Sequence, residues 1–139
     1  MDYETGAELT SLESEGLFLD KDRDKLTADY QANLRKNEQE TSEVIAQKKV
    51  LEEKRQKLFE FKQRDMAYYN QLRAELYGDG AKQDLKMIDH LFDETGHLCH
   101  RTEQEFEQEA FEIERRKKQL SSQKDVLQSD YRRAMQSIE

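Results

Sequence analysis

All three histidines and the only cysteine of this 139-residue chain fall in one stretch, HLFDETGHLCH, residues 90–100. Residues three, four and seven apart share a face of a helix, so His90, Asp93 or Glu94, and His97 converge on one side. Imidazole plus carboxylate there would suit zinc or another borderline cation, and His100 follows three residues on. Three features oppose a metal. Cys99 falls on a different helical line from the histidines, Gly96 disturbs the helix between the ligands, and no second cluster supplies further donors. The His-Glu-x-x-His pattern of metalloproteases is absent as well. The stretch therefore reads as core and surface residues gathered around a glycine, with Cys99 acting as a small hydrophobe and no metal or cofactor expected.

Other chemistry is equally hard to build. No nucleophile stands at a useful spacing from a base, and Gly78-Asp79-Gly80 is too short to cradle a phosphate. The basic run Arg115-Arg116-Lys117-Lys118 follows six glutamates in residues 103–114 and reads as a solvated face. Two helices alone offer little concavity to exclude water, so the sequence points away from an enzyme.

Composition explains why concavity is scarce. Charged residues make up 39% of the chain and hydrophobic residues 35%, with no Pro, no Trp and 5 Gly. Such a chain cannot fill a thick core, but it suits long helices that each bury a narrow stripe. No apolar run is long enough for a membrane span, and the opening MDYETGAELTSLESEG lacks a signal-peptide pattern. A single cysteine fits a reducing compartment, so a cytoplasmic location is expected. The net charge of −8 leaves no basic surplus for nucleic acid.

The chain divides at its glycines. Residues 1–24 hold eight acids and two bases and are expected to form a partly ordered acidic arm, flexible or with a short helix started at Thr10 by Thr10-x-x-Glu13. Nothing interrupts a first long helix over 25–77, a Gly-rich turn is expected at 78–82, and a second long helix over 83–139. The fold expected is all-α, a long antiparallel two-helix coiled-coil hairpin whose arms are roughly 75 Å each.

Heptads place the seam. Every seventh residue from Leu85 is apolar: Leu85, Phe92, Cys99, Phe106, Ile113, Leu120, Leu127 and Ala134. A patchier line holds Ile88, Thr95 and Thr102, then Ala110, Tyr131 and Ile138 after drift. The first arm is weaker. Its line Tyr30, Asn37, Val44, Leu51, Leu58, Asp65, Leu72 has two polar breaks, and Leu34, Thr41, Lys48, Arg55, Lys62, Tyr69, Leu76 is polar in the middle.

Charge sets the direction. Folding back about the turn brings position i beside roughly position 161 − i, so the glutamates of 103–114 meet Lys48, Lys49, Lys54, Arg55 and Lys57. Exposed pairs are worth only about 0.2–1 kcal/mol each, enough to favour a register. The same arithmetic sets Asp65 beside Thr95-Gly96, among Phe61, Tyr68, Tyr69 and Phe92. That layer is either a kink or partner-contact layer, with Asp65 accepting a hydrogen bond from a neighbouring His, or a harmless interruption at a solvated level.

Apolar side chains remain over: Phe59, Phe61, Met66, Tyr68 and Tyr77 on the first arm, and Leu91, Leu98, Phe111, Val126 and Met135 on the second. They lie off the main lines, and apolar stripes on long helices mark a helical partner.

In QEFEQEAFEIERRKKQLSSQKDVLQSDYRRAM, and in a central turn between two long helices, the chain resembles a family. It is that of the small all-α partner proteins of LXG toxins in the Gram-positive type VII secretion system. The resemblance is one of layout and covers about residues 45–139. It implies a partner that binds the helical LXG region of a toxin, beside a second small helical protein, and targets it to the secretion apparatus. Two departures stand out. Tyr77-Gly78-Asp79-Gly80 replaces a Trp-x-Gly turn, and the export pattern of an aromatic followed by an acid four residues later fails at Tyr131, where Met135 follows. Phe18-x-x-x-Asp22 has that spacing at the wrong end. A coiled-coil stalk of a flagellar or type III secretion ATPase has similar architecture but usually basic termini. A generic coiled-coil scaffold is a third reading.

Overall fold

A computed structural model describes the backbone of residues 2–76 and 81–138 and the side chains of residues 19–76 and 81–138. The fold is all-α. Helix α1, Asp2–Glu75, and helix α2, Ala81–Ile138, pack against each other with opposite directions, and no strand occurs among the described residues.

Helix α1 begins at Asp2, ahead of the expected residue 25. No proline stands before Glu75, and single glycines such as Gly6 and Gly16 weaken a helix by about 1 kcal/mol without ending it. Helix α1 ends at Glu75, where the Leu76 amide donates to the Arg73 carbonyl at 3.3 Å and tightens the last turn. Helix α2 begins at Ala81, two residues before the expected 83, with Asp84 in its first turn. The expected turn residues Gly78, Asp79 and Gly80, together with Tyr77, lie outside the described residues.

Both helices contribute to two compact units, one of Val44–Arg116 and one of Met1–Glu43 with Lys117–Glu139. In the central unit, Val44, Leu51, Cys99 and Ala81 are buried, while Leu58, Leu72, Leu85, Phe92, Phe106 and Ile113 are half-buried. Polar members of the first arm's lines, Lys48, Lys62 and Asp65, also turn inward; Arg55 is exposed. A two-helix seam covers each side chain from one direction only, so long polar stems can lie along it with their heads in water. Tyr69 meets Phe92 edge-on, with ring centroids 5.4 Å apart, and these two numbers add to 161.

The drift in the second arm has a simple cause. Its inward positions alternate by three and four up to Thr102, then take two steps of four, through Phe106 to Ala110, before alternation resumes. That is one inserted four-residue stutter, which locally unwinds the seam and shifts its phase.

In the terminal unit Leu120 is fully buried, and Leu127 and Ala134 are half-buried. Asn37, only 4% exposed, is satisfied there rather than stranded. Its Nδ2 donates to the Leu120 carbonyl at 2.9 Å and to Gln123 Oε1 at 3.3 Å. Tyr30 stacks on Tyr131 with centroids 4.2 Å apart, and the Tyr131 hydroxyl bonds Thr27 Oγ1 at 3.0 Å. These contacts explain how an arm with polar breaks still packs.

Candidate functional site

The central unit has two flanks of different character, and the helical turn of 100° per residue separates them. Phe59 and Met66 each follow an inward residue, Leu58 and Asp65. Phe61 and Tyr68 each precede one, Lys62 and Tyr69. The two pairs therefore leave α1 on opposite sides. On α2, Gly96 and Glu103 follow inward residues, and Leu91 and Leu98 precede them. In an antiparallel pair like flanks meet, and the geometry agrees: Met66 and Gly96 line one hollow, Phe59 and Glu103 another.

The first flank is bridged by ions. Arg73 pairs with Asp89, Lys62 Nζ with Glu103 Oε1 at 2.6 Å, and Lys48 Nζ with Glu114 Oε1 at 3.4 Å. A hollow opens in each gap. One, of about 80 Å³, is lined by Asp65, Met66, Phe92, Thr95, Gly96 and Cys99, with Lys62 at its edge. The other, of about 250 Å³, is lined by Arg55, Leu58, Phe59, Glu103, Phe106 and Glu107. Corresponding residues, Phe59 and Met66, are seven apart, about 10 Å along a helix. At the expected weak layer both helices continue through Asp65 and Gly96, and the smaller hollow opens beside them. A Cβ added at Gly96 would meet nothing within 4 Å beyond its own stretch of helix.

Electrostatics at the hollow are structural in kind. The hydrogen bond from Lys62 to Glu103 holds the Lys62 ammonium above its usual pKa, outweighing a small loss of hydration. Burial pushes the Cys99 thiol up, against the lowering influence of Lys62. A thiol kept neutral is a poor nucleophile and a poor metal ligand, consistent with a packing role.

The candidate metal residues separate. His90 Nε2 lies 3.0 Å from Glu94 Oε1 on an exposed surface, whereas Cys99 is buried in the seam. Among the described residues no three His, Cys, Asp or Glu side chains group to hold an ion. The expected histidine bond to Asp65 is not the arrangement found for His90, which is engaged by its own helix.

Phe59 and Met66 stand on the first flank, 54% and 51% exposed. Phe61, Tyr68, Leu91 and Leu98 stand on the second, the last 59% exposed. Phe111 follows the inward Ala110 and is 64% exposed, and Tyr77 lies outside the described residues. In the terminal unit Val126 is exposed and Met135 is half-buried. Ile45, Val50 and Met87, which also lie off the seam lines, are exposed as well. No helix among the described residues is long and apolar enough to cross a membrane. Compared with protein-family models, curated proteins and solved structures, the chain matches none of them.

Proposed function

We propose that the protein is a non-catalytic partner that lays its helices against those of another protein. The observation that carries this reading is the first flank of the central unit. It holds two exposed apolar side chains seven residues apart, Phe59 and Met66, each beside a hollow. Apolar side chains at positions i and i+7 of a third helix would match that repeat. Gly96 leaves room for close approach at the narrower hollow.

The resemblance in residues 45–139 makes the helical region of an LXG toxin the partner of choice, with a second small helical protein in the complex. Delivery of that toxin to a type VII secretion system, from the cytoplasm, is the role proposed. Co-expression with an LXG region and purification by a tag on the toxin tests it. A stable complex is expected, and Phe59→Asp with Met66→Asp should weaken it by roughly thirty-fold per anchor. Failure of the folded wild-type chain to co-purify with any LXG region sinks the toxin assignment. An unchanged complex in the double variant sinks the flank.

A further inference from the structure

The two flanks of the central unit complement each other, residue by residue. Reading along α1, the first flank carries Glu52, Phe59, Met66 and Arg73, and the second carries Lys54, Phe61, Tyr68 and Glu75. All eight side chains are exposed. Set side by side in the same direction, with an offset of two residues, they pair acid with base, apolar with apolar twice, and base with acid. The second helix follows. With the same offset, Leu91 and Leu98 of one flank straddle the level of Gly96, where the other has no side chain, and Arg101 comes level with Glu103.

We infer that a second copy of this chain docks alongside the first in the same direction, its Phe61–Tyr68 flank on the first copy's Phe59–Met66 flank. The occupant is chosen by charge. Each end of the apolar stripe meets an opposite charge only when the helices run in the same direction: reversal would set Glu52 against Glu75 and Arg73 against Lys54. Arg73 already holds Asp89, and Gln71 Nε2 reaches Glu75 Oε1 at 3.2 Å, so the two charges at that one end are partly ordered before contact. The contact joins unlike surfaces, which leaves one of each free on every pair. Association therefore continues beyond two copies unless a rotation closes a ring. The inference is independent of the toxin reading, but both use the first flank, so a partner helix and a second copy compete for it.

Sedimentation velocity on the full chain alone tests this. The wild type should show an average mass that rises with concentration past that of a dimer. Phe59→Glu with Met66→Glu removes the first flank; Phe61→Glu with Tyr68→Glu removes the second. Each double variant should stay monomeric, and an equimolar mixture of the two should give a one-to-one pair and nothing larger. Circular dichroism checks that helicity is kept, and a milder set covers a folding failure. Glu52→Lys should weaken association by about five-fold, and adding Lys54→Glu should restore it. A wild type that remains monomeric, a double variant that associates as the wild type does, or a charge swap without rescue overturns the proposal.

Discussion

Replacing Gly96 with alanine separates stability from binding at one atom. Gly96 lies inside α2, exposed, where a glycine costs a helix about 0.5–1 kcal/mol relative to alanine because its unfolded backbone is freer. The usual offset, a crowded or left-handed position, is missing: an added Cβ meets nothing within 4 Å beyond its own stretch of helix. The whole propensity gain should therefore appear as stability. For a chain of this size it corresponds to a rise of about 2–4 °C in melting temperature. Thermal unfolding followed by circular dichroism at matched protein concentration, with self-association held low, measures it. A lower melting temperature would mean that space around Gly96 is not as described. The same methyl group projects at the flank where a partner helix is proposed, so the stabilised variant should bind its partner more weakly. Equal or tighter binding would remove Gly96 from the proposed contact.

Other changes test the core. Leu120→Ala removes the side chain with 0% exposure and should destabilise the protein by about 2–5 kcal/mol in urea unfolding, with the actual cost set by how far the seam collapses. An effect below that range would show that the terminal unit packs loosely there. Alkaline pH should destabilise the fold through two groups. Cys99 and Lys62 both have folded pKa values raised above their ordinary 9.0 and 10.5, so the folded state binds more protons in that range. Stability is full below the ordinary thiol value and falls as pH rises through the folded values. Cys99→Ala should flatten the earlier part of that decline, and a wild-type stability that rises above pH 9.0 contradicts the assignment.

Much of the fold is legible in the sequence because helix periodicity is a local property. Eight apolar residues at heptad spacing, from Leu85 to Ala134, place one face of α2, and opposite charges indicate which way α1 returns. The N-terminal start is less legible, since acidic residues and isolated glycines are consistent with either an arm or a helix. Polar seam residues are hardest of all. Asn37 and Lys62 look like breaks when read singly; their partners, the Leu120 carbonyl and Glu103, are 83 and 41 residues away. The hollows are illegible for a related reason. Each results from what two helices fail to fill together at one level, and the stutter after Thr102 changes which residues share that level. Leftover apolar residues could be found one at a time, but their division into two complementary flanks required the facing helix.

The Asn37 amide also acts as an index mark. An apolar seam with a seven-residue repeat tolerates sliding by a whole repeat, because leucine replaces leucine. Asn37 does not, since beside the Leu120 carbonyl it also uses Gln123 Oε1 as an acceptor. Sliding α2 by one repeat brings Arg116 or Asp130 to the place of Gln123. Arginine offers only donors, and the aspartate, one methylene shorter than glutamine, holds its acceptor farther from Asn37. The zipper therefore has one preferred tooth, and the arms cannot ratchet past each other without leaving that notch.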